Sequence, residues 1–344
     1  MTQLQMRRLV IVGAITILSS FSVVAADEKS SNSAERSSLS VSRLAKFNNA
    51  VALLDGYRGD PASLEAARAQ LVGVINESPP YAPAYRELAR YQIMRGHISY
   101  QQFQPGSLGA AEAMIKKALE IDPKYADACV LLGHVYQLMN RLGEGIAALE
   151  KAEKLGTTEP WLQLNWAAIL IDQGKYEEAA KRYRKVIDSN TPNKKAMVSA
   201  FEGLSLYYES IGKLDEADKI YQKQIAFEPE AAWGYGNYAH FLLCQKDDYE
   251  KSIARSREAL RIMDYGMGRY WLAAALYRKW AQSVNTGRPD TGAQYFAEAQ
   301  AIYPDPSQIA ADEKSCPPLG LIKKAIARSS KGAKPALPGT PKRL

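Results

Sequence analysis

Histidine and cysteine are scarce: the 344 residues hold three of each. Cys129, Cys244 and Cys316 form no C-x-x-C pair, and His97, His134 and His240 are the only imidazoles that could join them. No zinc site is expected from so few scattered ligands. In an oxidising compartment one disulfide is possible, and the odd count leaves one thiol free or paired with another chain; the sequence leaves the pairing open. Catalytic signatures are missing as well. There is no H-E-x-x-H, no phosphate-binding Gly-Lys-Ser/Thr loop and no G-x-S-x-G, and Gly106-Ser107-Leu108-Gly109 follows no strand and is expected to be a turn. Paired acids such as Glu177-Glu178 and Asp247-Asp248 fall at expected helix starts, where they favour the helix dipole. The expectation is a non-enzyme without metal or cofactor.

Long apolar runs are also lacking after residue 26. Before it, Arg7 and Arg8 precede the apolar stretch Leu9–Leu18, serines follow, and Val23-Val24-Ala25-Ala26 offers small residues. This is the layout of a secretory signal peptide, with cleavage expected after Ala26 or Ala25. The alternative, an uncleaved anchor, is disfavoured by the short, serine-broken run. The expected location is periplasmic or secreted, with no stable membrane insertion after cleavage.

Acidic residues are absent from Pro317 to Leu344, which carries seven cations, and from the signal, which carries two. These two ends account for more than the whole net charge of +7, so the stretch between them is slightly acidic. A nucleic-acid binder would place its cations on the folded surface that meets phosphate; that class is excluded. The basic tail is expected to make at most a weak, salt-sensitive contact with anionic lipid.

What is present is a repeat. A small residue, a large apolar one four later, a small one three later and a helix stop recur as Ala67–Leu71–Val74–Pro79, Ala111–Ile115–Ala118–Pro123, Gly145–Leu149–Ala152–Thr157, Ala179–Tyr183–Val186–Thr191 and Ala217–Tyr221–Gln224–Pro229. The pattern weakens in Ser252–Ser256–Ala259–Asp264 and returns as Gly292–Phe296–Ala299–Pro304. The stops lie 44, 34, 34, 38, 35 and 40 residues apart. Spacing of i, i+4 and i+7 puts the three residues on one helix face, where small side chains admit a neighbouring helix and the large one fills the gap. A second helix precedes each, on the template Leu132-Gly133-x-x-Tyr136, Trp166-Ala167-x-x-Leu170, Leu204-Ser205-x-x-Tyr208, Tyr238-Ala239-x-x-Leu242 and Leu272-Ala273-x-x-Leu276. Asn140, Gly174 and Gly212 sit in the turns between, where a left-handed backbone is needed.

Segments such as Gln173-Gly174-Lys175-Tyr176-Glu177-Glu178-Ala179 and Ile211-Gly212-Lys213-Leu214-Asp215-Glu216-Ala217 resemble the tetratricopeptide-repeat (TPR) consensus. The resemblance covers about residues 44 to 306. It implies an all-α, right-handed superhelical solenoid of about seven helix-turn-helix motifs with a C-terminal capping helix. The expected divisions are a signal at 1–26, a flexible leader at 27–42, the solenoid at 43–315, and a capping helix with a basic, disordered tail at 316–344.

By the same resemblance the first helix of each pair lines a concave groove that binds a protein or peptide. The candidate groove residues are Arg86, Arg90, His134, Trp161, Asn165, Trp233, Asn237, His240, Tyr270 and Tyr277. The inserted stretch Gly96–Gly109 carries Tyr100 and Phe103, expected to form a lip over one end of the groove. Leu131 and Glu202 stand where a carboxylate clamp would need polar or basic groups, which argues against recognition of a free peptide C-terminus. The leading expectation is a non-catalytic adaptor in envelope assembly or secretion. The alternative is a polysaccharide binder that uses groove aromatics; it would cluster its rings, whereas a peptide binder would alternate asparagine with aromatic contacts.

Overall fold

The computed structural model describes residues 40–99, 102–312, 316 and 320–332. The signal peptide, the leader up to residue 39 and the tail beyond 332 lie outside the described residues.

The small–large–small spacing produces helices in antiparallel succession. In chain order they are α1 (Val41–Gly56), α2 (Pro61–Ile75), α3 (Ala82–Gly96), α4 (Ser107–Ile121), α5 (Ala126–Leu138), α6 (Leu142–Lys154), α7 (Trp161–Asp172), α8 (Tyr176–Asp188) and α9 (Lys194–Ser210). They continue as α10 (Leu214–Phe227), α11 (Ala232–Cys244), α12 (Tyr249–Ile262), α13 (Gly266–Asn285), α14 (Ala293–Ile302), α15 (Pro306–Asp312) and α16 (Leu321–Gly332). The fold is all-α, as the repeat predicts. α1 starts at Val41 with Ser40 as its cap, accepting from the Arg43 amide, so the last residues of the expected leader are helical.

The chain divides into two compact units, one ending at Ile211 and the other beginning at Gly212. The first holds the pairs α1–α2, α3–α4, α5–α6 and α7–α8, then α9. The second opens with α10 and holds α11–α12 and α13–α14, followed by α15 and α16. The expected fifth motif is thus divided between the units.

Within each unit the repeat residues do the packing the spacing implies. Ala111, Ile115, Ala118, Leu149 and Ala152 are fully buried. A β-carbon on Gly133 of α5 would overlap the Leu149 side chain of α6, so the small residue sets the helix approach and the large one fills it. The serines of the weak repeat also fit: Ser252 and Ser256 are buried, and the Ser252 hydroxyl donates to the Ala239 carbonyl at 2.8 Å. The turns need the left-handed backbone as expected, with φ of 58° at Asn140, 76° at Gly174 and 73° at Gly212. Asp247, φ 52°, takes this place between α11 and α12.

The insertion after α3 is more ordered than the expected loop. It is a two-stranded antiparallel hairpin, β1 (His97–Ser99) with β2 (Gln102–Phe103), so Gly106-Ser107-Leu108-Gly109 does follow a strand, and instead of a turn it is the cap and first three residues of α4. In the second unit α16 packs on α13 with Ile322 and Ala325 buried, the arrangement foreseen for a capping helix. Cys244 and Cys316 form a disulfide, and Cys129 is a buried free thiol.

Candidate functional site

The first helices of the two units carry very different surfaces. In unit 1 the expected groove positions are buried. α3 places Arg86, Glu87 and Arg90 in the interior, all less than 4% exposed. Glu87 bridges the two arginines, at 2.5 Å from Arg86 Nη1 and 2.6 Å from Arg90 Nη1. Arg90 Nη2 reaches Asp55 Oδ1 of α1 at 2.7 Å, and Arg86 Nη2 lies 3.9 Å from Glu159 Oε2 at the start of α7. Lys195 of α9 donates to the Asp55 carbonyl at 2.7 Å. One alternating chain of charge, Asp55–Arg90–Glu87–Arg86–Glu159, therefore ties α1 and α3 to the residues just before α7, and Lys195 of α9 joins it through the Asp55 backbone carbonyl. Arg86 and Arg90 are members of this buried network and do not line an open groove.

Burial works against each charge in the network, and partners decide the outcome. Burial alone would raise the Glu87 carboxyl, but Arg90 and Arg86 hold it below its ordinary range. Glu159, pushed up by burial and only partly relieved by Arg86, reaches about 7. Lys195 is lowered to about 8 by burial and by neighbouring Arg58.

The other unit 1 candidates are also interior. Trp161 is 1% exposed, and His134 and Asn165 are buried. Burial lowers the His134 imidazole to about 4. The Asn165 amide donates to the Val130 carbonyl of α5 at 3.1 Å, joining adjacent motifs instead of facing a ligand. Phe103 is half-buried in the hairpin, its ring edge-on to His97 at 5.6 Å. Tyr100 lies outside the described residues.

Unit 2 presents the open surface. Trp233, Asn237 and His240 follow i, i+4, i+7 on α11 and share a face. Trp233 is 54% exposed, while Asn237 and His240 are half-buried. Beside them Met263 and Met267 are exposed. The Trp233 ring packs on Tyr265 at 4.5 Å and His240 on Trp271 at 4.4 Å. Burial lowers the His240 imidazole below its ordinary value.

Two candidates from α13 prove to be packing residues. Tyr270 stands edge-on to Trp271 and Tyr303. Tyr277 is fully buried, donates its hydroxyl to the Tyr303 carbonyl and packs edge-on against Trp280 and Phe296. The residues that share register with the α11 face are Met267 and Trp271. Aligning Leu272-Ala273 with Tyr238-Ala239 matches Met267 to Trp233 and Trp271 to Asn237, whereas Tyr270 falls opposite Gly236. The same alignment pairs Glu87 with Asn237, so the centre of the unit 1 network was also within reach of the repeat.

Among the described residues no group of acids, histidines and cysteines could hold a metal ion, and no helix is long and apolar enough to cross a membrane.

Comparison with known proteins places this geometry. Residues 102–164 match the tetratricopeptide repeat family model. The chain is similar to ALBINO3-like protein 3, mitochondrial, of Arabidopsis thaliana, 25% identical over 56% of this chain, and it spans only 33% of that protein's length. It is similar to Type IV pilus assembly protein PilF of Pseudomonas aeruginosa, 23% identical over 67% of this chain and 86% of the other. Among solved structures, that of the APC/C hetero-tetramer Cut9-Hcn1 shares the fold at a TM-score of 0.50 and 15% identity, covering 68% of this chain and 46% of that one. The helix-pair repeat, the family model matched at residues 102–164 and the shared fold together identify a tetratricopeptide-repeat fold.

Proposed function

We propose that the chain is a non-catalytic interaction scaffold of the cell envelope, and that a partner protein docks on the strip formed by Trp233, Asn237, His240, Met267 and Trp271. The observation that carries this reading is the exposure of Trp233. It is a large amphipathic ring left open at a repeat position where Trp161 of unit 1 is buried, and aromatic anchors of this kind supply much of the energy of protein interfaces. The unit 1 face offers no such anchor because its ion network fills it. The envelope setting rests on the expected signal peptide and on the similarity to a protein named for type IV pilus assembly.

The clustering of rings in unit 2 favours a second reading, a glycan binder. Sugar binding needs open ring faces, however, and here Tyr265 covers one side of Trp233 while His240 packs on Trp271. The protein-partner reading is the better supported.

Affinity capture from an envelope extract, with the mature chain beside a Trp233→Ala/Met267→Ala variant, tests it. A protein retained by the parent and lost by the variant, then shown to bind in purified form with the same dependence, supports the proposal. Equal retention by both chains removes the strip from consideration, and binding confined to soluble envelope glycans transfers the site to the second reading.

A further inference from the structure

Unit 1 carries a cleft on a different face of α7 from Asn165. Its volume is about 680 Å³ and it lies between α6, α7 and α8, within the size range of ligand sites. Ile146, Trp166 and Leu170 form an apolar floor. Lys175, Lys181, Arg182 and Lys185 rise around it, against two carboxylates, Glu150 and Glu178. The cleft is therefore net positive in a protein whose middle stretch is slightly acidic.

The cations are not equally committed. Arg182 is held in place, donating to Glu153 at 2.6 Å and to Gln163 at 2.9 Å, and its guanidinium lies over the Trp166 ring, 5.1 Å from the centroid. Lys181 makes only a long contact, 3.8 Å, with Glu177 one turn away. Lys175 and Lys185 form no ion pair among the described residues. Trp166 Nε1 is buried with no hydrogen-bond acceptor, a donor whose satisfaction would be worth a hydrogen bond.

We infer that this cleft binds an acidic segment of a partner protein, one that carries a carboxylate next to a large apolar side chain. The apolar side chain would lie on Ile146 and Leu170. The carboxylate would meet the lysine ammonium groups beside the fixed Arg182 guanidinium. A sugar is a poor match because Arg182 already covers the indole face. A dense polyanion is also a poor match, because Glu150 and Glu178 would repel continuous negative charge. This surface is independent of the strip in unit 2.

Fluorescence anisotropy with a labelled short peptide of mixed Glu and Leu, added to the full chain at low salt, tests the inference. A Gln-for-Glu peptide and polyphosphate serve as parallel probes, with Lys181→Ala/Lys185→Ala and Trp233→Ala as variants. The two lysines are exposed, so their removal leaves the fold intact. The expected result is that the acidic peptide binds the parent and Trp233→Ala alike, weakens about ten-fold in the lysine variant, as loss of two rim charges implies, and is not replaced by the Gln peptide. Equal binding to parent and lysine variant overturns the inference, since the basic tail would then be the binder. So does equal binding of the Gln peptide, loss of binding in Trp233→Ala, or polyphosphate binding tighter than the peptide.

Discussion

The Tyr265 hydroxyl occupies the space that a β-carbon on Gly236 would need, and the Tyr265 ring equally crowds the β-carbon position of Gly268. Two glycines on neighbouring first helices thus make room for one tyrosine, which in turn backs the exposed Trp233 ring. Overpacking such a site costs about 1–3 kcal/mol. Gly236→Ala is expected to lower unfolding stability by that amount and to move Trp233. Gly109→Ala, in a helix position with open space around it, is expected to stabilise by about 0.4–1 kcal/mol. Urea titrations of the two variants check both signs.

Glu87 is the shared partner of two buried arginines. Glu87→Ala leaves both without their bridge, and breaking a buried pair costs about 3–5 kcal/mol. A smaller loss, as judged by the midpoint of chemical unfolding, would show that Asp55 and Glu159 compensate.

Glu159 behaves oppositely to Glu87 with pH. Its folded pKa is raised to about 7, so the folded state binds its proton more tightly than the unfolded chain. The associated stability is fully present below the unfolded carboxyl value and is lost as pH rises through about 7. Glu159→Gln is therefore expected to match or trail the parent at pH 5 and to exceed it at pH 8. Unfolding curves at the two values decide this, and a difference that shrinks with pH contradicts the sign.

The Cys244–Cys316 bridge spans 72 residues. On the chain-entropy account a loop of this size contributes about 4 kcal/mol. Cys244→Ser is expected to lower stability by up to this amount, and the parent in a thiol reductant should melt like the variant. Reductant should leave the variant's own melt unchanged, because it holds no intrachain bridge and both of its thiols, Cys129 and the freed Cys316, are buried.

Trp233 contributes surface rather than core. Trp233→Ala is expected to change stability by no more than about 0.5 kcal/mol, as for exposed positions generally, while removing an indole that iodide can quench. Unchanged quenching in the variant would show that another indole is the accessible one.

Much of the fold was legible because helix pairing is a local matter. The i, i+4, i+7 spacing around Leu149, the glycine at 133 and the left-handed turns at Asn140, Gly174 and Gly212 can each be read within one repeat, and the structure forms each as read. The site was legible only in part. Trp233, Asn237 and His240 share a helix face by spacing alone. Trp271 and Met267 lie in the same register, whereas Tyr270, one residue away, falls off that face and packs edge-on against Trp271 and Tyr303. The burial of Trp161 and Asn165 carries no local mark, since each looks like its counterpart in α11, exposed Trp233 or half-buried Asn237.

By itself, then, the sequence determined the repeat, the helix pairing and the small–large contacts, because these depend on residues within a few turns of one another. Tertiary structure alone decided which equivalent positions meet water. Arg90 and Asp55 are 35 residues apart, Lys195 and Asp55 are 140, and Cys244 finds Cys316 rather than Cys129. Contacts at such separations depend on how successive helix pairs stack, a sum of many small rotations that no single repeat encodes.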